Sequence, residues 1–252
     1  MLKTKTALLG ILVSFALVFS QGFAPPPSAA AVTTLNFSGY KWNVRSGQGG
    51  PGPNNWRSAN VWVDASGYLH LKISHQNGQW YAAELTTQKI LGFGRYQIQV
   101  IGRVDQFDRN IVLGLFNYPT AAIGPDGTNE IDIEYARWGN PVNPIGNFTV
   151  WPAVTGLSHR SHSFSLNLAS ANTTQRFTWA SNHILFQGLR GFTDTGTGQY
   201  AAWSYQPAAF LRYIPQHAMQ VHINLWLFQG HAPVNGQEVE VIIKSFKFTP
   251  AN

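Results

Sequence analysis

The stretch Glu130-Ile131-Asp132-Ile133-Glu134 constrains this chain more than any other. At the two-residue period of a β-strand, Glu130, Asp132 and Glu134 share one face, and Ile131, Ile133 and Tyr135 share the other. Like charges at neighbouring positions of one face repel, and no lysine or arginine separates them. The whole chain holds only 11 acidic residues, so three within five positions are not background. They read either as a polar outer face that happens to be acidic or as carboxylates set for acid–base and nucleophilic chemistry. In both cases the isoleucine face needs a core behind it.

The surrounding sequence offers that core in β form. Asn60–Asp64, Tyr68–Ile73, Tyr96–Val100, Ile111–Tyr118, Phe148–Trp151, Phe164–Leu168, Gln175–Trp179, Ile184–Gln187, Gln220–Phe228 and Val239–Phe248 are each predicted strands. Glycine-bearing turns recur between them, and no segment keeps a helical period over three turns, so the fold class is all-β, an antiparallel sandwich or barrel. Gly47–Asn55, rich in glycine and proline, is predicted as a loop. Within Val221–Phe228 the odd positions Val221, Ile223, Leu225 and Leu227 are apolar and face the core. The even positions place His222, Asn224, Trp226 and Phe228 on the opposite face, where a tryptophan is either packed under a loop or a platform for stacking a sugar.

Lys3 and Lys5 ahead of the apolar run Ala7–Phe19, followed by small residues, read as a secretory leader over residues 1–31, cleaved after Ala24 or Ala31. The remainder, 32–252, shows no linker or repeat and is expected to be one domain. Discounting the two leader lysines lowers the formal net charge from +6 to +4, and the other basic residues are scattered singly. Nucleic-acid binding needs a clustered basic footprint and is not expected. The chain has no cysteine, which excludes disulfides, thiolate metal sites and cysteine nucleophiles together. Eight histidines show no metal-ligand spacing, with His159 and His162 placed in a loop, so no cofactor is expected. Low charge beside nine tryptophans suits a neutral polar partner such as a polysaccharide.

Two carboxylates flanking a glycosidic bond are glycosidase equipment, and a retaining enzyme holds them roughly 5 Å apart. Positions i and i+4 of a flat strand are about 13 Å apart at Cα, so both glutamates would have to lean over the middle residue. The spacing permits this mechanism without requiring it.

Asn129–Glu134 resembles the signature of glycoside hydrolase family 16, and the resemblance is closest to its lichenase-like branch. Trp56-Arg57-Ser58-Ala59-Asn60-Val61, Ala83-Glu84, Gly92-Phe93-Gly94-Arg95-Tyr96, the strand Ile111–Tyr118, Phe177 and Trp179 with Ile184, and Asn224-Leu225-Trp226 are similar to segments of those enzymes in the same order. The resemblance implies a jelly-roll sandwich of two curved antiparallel sheets with a concave substrate cleft. It implies Glu130 as nucleophile, Glu134 as general acid/base, Asp132 as the assisting aspartate, and Glu84, Asn224 and Trp226 as sugar-holding residues. The absence of an extra residue between Asp132 and Glu134 is similar to the lichenase-like and transglycosylase branches. Thr86, Thr128, Thr173 and Thr178 depart from the pattern, Thr86 where an arginine follows the sugar-binding glutamate. Lys244 falls near the aspartate that holds a structural calcium in many members, so calcium is not supported here. The expected protein is a secreted, monomeric, retaining endo-β-glucanase acting on β-1,3 or mixed β-1,3-1,4 glucan, free of the membrane once its leader is removed. A transglycosylase on the same site and a non-catalytic polysaccharide-binding protein are the alternatives.

Overall fold

The computed structural model describes residues 32–251, and the leader expected over 1–31 lies outside the described residues. In chain order the strands are β1 (Thr33–Phe37), β2 (Tyr40–Val44), β3 (Gly47–Gly49), β4 (Asn54–Trp56), β5 (Val61–Val63), β6 (Leu69–Gln76), β7 (Gln79–Tyr81), β8 (Ala83–Thr87) and β9 (Gly94–Ile101). They continue as β10 (Ile111–Tyr118), β11 (Ile131–Ala136), β12 (Gly146–Val150), β13 (Arg160–Phe164), β14 (Asn172–Trp179), β15 (Ile184–Arg190), β16 (Gln199–Tyr205), β17 (Gln220–Leu227) and β18 (Val239–Pro250). A single helical turn, α1 (Phe210–Tyr213), lies between β16 and β17.

Two antiparallel sheets form the sandwich. One runs β1-β2-β8-β17-β10-β11-β12-β13, and the other runs β16-β15-β14-β9-β18-β6-β5 with β7 paired to β6. The alternation of each strand decides which side chains meet between them. Ile131, Ile133 and Tyr135 of β11 point inward with Leu113 and Leu115 of β10, Ile223 and Leu225 of β17, and Phe148 of β12. Val100, Phe177, Phe186, Val241 and Ile243 answer them from the second sheet. Each such buried side chain contributes roughly 1.5–3 kcal/mol, and with no disulfide this core carries the fold.

Several expectations shift at their edges. The acidic strand runs over Ile131–Ala136; Glu130, just ahead of it, accepts the Trp151 N–H at 2.9 Å, and Asn129 before that takes a left-handed φ of 54°. The ladder predicted for Phe164–Leu168 lies earlier, over Arg160–Phe164. Leu166 packs on the core and Leu168 is buried, but both do so from irregular backbone, with the Leu168 N–H donated to Asp105 Oδ2 at 3.0 Å. His162 therefore sits in an edge strand, not a loop. Gly47–Asn55 is mostly a tight hairpin, β3 paired with β4, and Asn54 explains why it holds: its amide bonds Pro51 O and Leu227 O. At Lys244, β18 shifts register between Ile243 and Ser245, a bulge that lays the Lys244 ammonium 4.2 Å over the Phe192 ring. That arrangement does not fit a calcium ion.

The catalytic-strand candidate is tied to the opposite sheet by a buried polar network. Tyr135 donates to Gln175 Oε1 at 2.5 Å and meets Tyr200 Oη at 2.7 Å, while Gln175 Nε2 donates to Thr173 Oγ1 at 2.9 Å. Thr173, one of the departures noted above, is thus spent inside the sandwich. Removing one member leaves buried partners unsatisfied. Tyr135→Phe is expected to lower unfolding stability by about 1–3 kcal/mol in urea titration.

Candidate active site

The register of the first sheet sets the candidate residues in rows across its outer face. Glu84 on β8 stands opposite Asn224 on β17, Asn224 opposite Gly114 on β10, and Gly114 opposite Glu134 on β11. The next row aligns Thr86, His222, Phe116, Asp132 and Thr149. Gly114 makes the first row possible, since a Cβ there would lie 2.4 Å from Asn224 Oδ1. Above the rows lies a cavity of about 590 Å³ lined by Glu84, Glu130, Glu134, Asn224 and Trp226. The sequence-named residues are therefore brought together, with Asp132 buried in the floor between the two glutamates.

Asp132 is held from one side by Trp151, whose indole N–H donates to Oδ2 at 3.0 Å. Its Oδ1 is buried with no partner among the fixed donors of the described residues. A protonated Asp132 resolves this, because its O–H can be given to Glu130. Burial and the charges of Glu130 and Glu134 raise Asp132 well above the carboxylate range, which favours that proton. Burial pushes Glu130 up to about 7, opposed by the Asp132 hydrogen bond and assisted by the charge of Asp126. Burial pushes Glu134 up to about 8, with the Glu130 charge adding to it. The site can keep one carboxyl protonated while its neighbour ionises.

Glu84 shows the opposite behaviour on the same sheet. Burial acts to raise it, yet His222 and Arg45 together hold it below its ordinary value. Arg45 Nη1 donates to Glu84 Oε2 at 2.7 Å, and His222 Nδ1 meets Oε1 at 3.1 Å. Trp226 is buried against Trp56, Val112 and Ala136, with Trp138 6.5 Å away, so it is packed and lines the cavity at once. Thr128 donates to Pro125 O at 2.7 Å and braces the turn that carries Asn129.

Reasoning from sequence passed over Arg45, Phe116, Tyr118, Asp126 and His222 as site residues, and these five line the cavity together with Trp151. Face parity on the predicted strand Ile111–Tyr118 could have found Phe116 and Tyr118, which align with Gly114. Arg45 and Asp126 come from connecting segments, where no period applies. Tyr118 donates to Asp126 Oδ1 at 2.8 Å, so strand and loop close on each other beside Glu130. Among the described residues no three histidine, aspartate or glutamate side chains gather as metal ligands.

No family model matches the chain, and no curated protein sequence matches it. Solved structures do. The β-glucanase of Bacillus licheniformis superposes with a TM-score of 0.61 at 19% identity, over 83% of this chain and 92% of that one. An immunostimulatory antigen and pseudo β-1,3-glucanase of Mycobacterium tuberculosis gives 0.62 at 17% identity, over 84% and 91%. A family-16 glycoside hydrolase of Bacteroides ovatus, in complex with a mixed-linkage glucan product, gives 0.60 at 12% identity, over 82% and 94%. The chain has the jelly-roll fold of the family-16 β-glucanases.

The raised carboxyls carry a stability consequence. Glu134 keeps its proton in the folded chain up to about pH 8 but releases it near 4.5 when unfolded. Its contribution is complete below 4.5 and is lost as pH rises to about 8. Glu134→Gln is expected to stabilise the fold on the order of a few kcal/mol more at pH 8.5 than at pH 4.5, read by urea unfolding at both.

Proposed function

We propose that this chain is a secreted, retaining endo-β-glucanase of glycoside hydrolase family 16, acting as a monomer on β-1,3 or mixed β-1,3-1,4 glucan. The observation that carries the reading is the set of three carboxyls on one face: Glu130 and Glu134 line the cavity, Asp132 is buried in the floor between them, and burial raises all three. The Ala7–Phe19 run and its flanks support export, and the matched β-glucanases support the substrate class.

In the proposed cycle Glu134 gives its proton to the glycosidic oxygen as the bond breaks. Glu130 attacks the anomeric carbon and forms a glycosyl ester. Glu134, now ionised, takes a proton from water, whose oxygen displaces Glu130. The Asp132 hydrogen bond steadies the Glu130 carboxylate when it is free. Binding without turnover is a second reading, favoured by the likeness to the pseudo β-1,3-glucanase. A transglycosylase would differ only in its acceptor, a sugar in place of water.

Glu130→Gln is expected to abolish reducing-sugar release from barley β-glucan and laminarin while leaving the melting temperature near that of the parent. Full activity in that variant would end the reading. Turnover needs Glu130 ionised and Glu134 protonated, so kcat/KM should rise through about pH 7 and fall through about pH 8. Asp126→Asn removes a negative charge that raises Glu130, and should move the acid limb, and only that limb, to lower pH.

A further inference from the structure

At the β8 side of the cavity the carboxylate named by sequence is not the group presented to a ligand. Glu84 is shielded, with its side chain 8% exposed, whereas Arg45 is 34% and His222 15% exposed, and all three line the cavity. Both Glu84 oxygens are already engaged, one by Arg45 Nη1 and the other by His222 Nδ1. Arg45 is fixed a second time by its guanidinium lying 4.4 Å over Trp56. His222 is fixed by stacking on Phe116 at 5.0 Å and by Thr86 Oγ1, 3.0 Å from Nδ1. An ionised Glu84 can only accept, so His222 Nδ1 carries the hydrogen, and Nε2 is left as the ring's second polar atom. Among the described residues His222 Nε2 and the Nε and Nη2 atoms of Arg45 have no hydrogen-bond partner.

We propose that Arg45 and His222 form a hydroxyl-recognition site for a neutral hexopyranosyl unit, and that Glu84 acts as the positioning residue that holds the two in place. One sugar hydroxyl pairs with His222 Nε2, and a neighbouring oxygen accepts from the Arg45 guanidinium. Two polar groups side by side match a vicinal diol, in which each hydroxyl can donate or accept. Phe116 and Tyr118, the latter edge-on to His222 at 5.7 Å, supply apolar surface beside them. Thr86 leaves room for this arrangement. It is small enough to sit under the imidazole, and the guanidinium reaches Glu84 from the end of β2.

The assignment rests on the glycan-cleaving reading and is tested apart from it. Binding of laminarihexaose and of a mixed-linkage hexasaccharide would be measured by calorimetry on the Glu130→Gln protein, where turnover plays no part. His222→Phe keeps the stack and loses the ring nitrogens; Arg45→Met keeps the stem over Trp56 and loses the fork. Each is expected to weaken binding about tenfold or more, the loss of a hydrogen bond to a polar or charged group. In the Glu130-intact protein the same changes should raise KM by a like factor with kcat within about twofold. His222→Gln, which keeps a polar atom near Nε2, should recover part of the loss, and Glu84→Gln should weaken binding through both neighbours. A merely structural role would lower the melting temperature without splitting KM from kcat. Unchanged affinity in both His222→Phe and Arg45→Met would overturn the proposal while leaving Glu130-dependent cleavage standing. A parent protein that neither cleaves nor binds these glucans would overturn the glycan reading and this one with it.

Discussion

Glu130, Asp132 and Glu134, on one face of β11 and the residue just before it and backed by an apolar core, resist ionising together. In a floor where Asp132 is buried, each added negative charge meets little solvent to screen it, so the strand must keep protons that exposed carboxylates would lose. Much around it follows from that constraint. Trp151 offers a neutral N–H to Asp132 where a lysine would have discharged the set, and Gly114 opposite Glu134 leaves room for the Asn224 amide. On the reverse face, Ile131, Ile133 and Tyr135 hold the strand rigid, so the carboxyl groups cannot spread apart to relieve their repulsion.

The same sheet carries a glutamate of the opposite character. Glu84 and Glu134 lie in one cross-strand row with Asn224 and Gly114 between them, and both line the cavity. Burial acts on both in the same direction. Glu84 nevertheless stays below its ordinary value because a guanidinium and an imidazole face it, while Glu134 rises because nothing opposes its burial and the Glu130 charge adds to it. Environment alone divides one residue type into a proton carrier and a fixed anchor. Across the cavity Asp126 adds a further negative charge beside Glu130, so the acidic character is graded from the loop side toward β8.

The parts of this architecture governed by a strand period were legible in the sequence. Alternation identified β10, β11, β17 and β18 closely, and parity alone put Asn224 and Trp226 on the face shared with the glutamates. The β1–β2 hairpin escaped notice although it carries its own signal: Ser38 and Gly39 take φ of 51° and 79°, the two positive values a two-residue turn of this hand needs. β13 escaped for a different reason. Arg160-Ser-His-Ser lies exposed at the sheet edge, and a strand without a buried face has no hydrophobic alternation to read. Phe164, Leu166 and Leu168 do alternate, but only Phe164 belongs to the strand, and Leu166 and Leu168 turn inward from irregular backbone. Arg45 and Asp126 were invisible because their positions depend on where connecting segments fold back, which no local pattern encodes.

That division bears on what such a fold can change. Residues locked in cross-strand register, Glu84, Gly114, Asp132, Glu134 and Asn224, depend on one another through backbone pairing, so altering one disturbs a row. Arg45 and Asp126 reach the cavity from segments outside that row, and Thr86 contacts the site only through His222. A sheet of this kind can therefore keep its carboxyl floor while its rim is rebuilt. Structures that share the fold at under 20% identity and include both glucanases and a pseudo β-1,3-glucanase are consistent with that separation. The carboxyl row belongs to the period of β11, and much of the cavity rim belongs to side chains that enter from outside it.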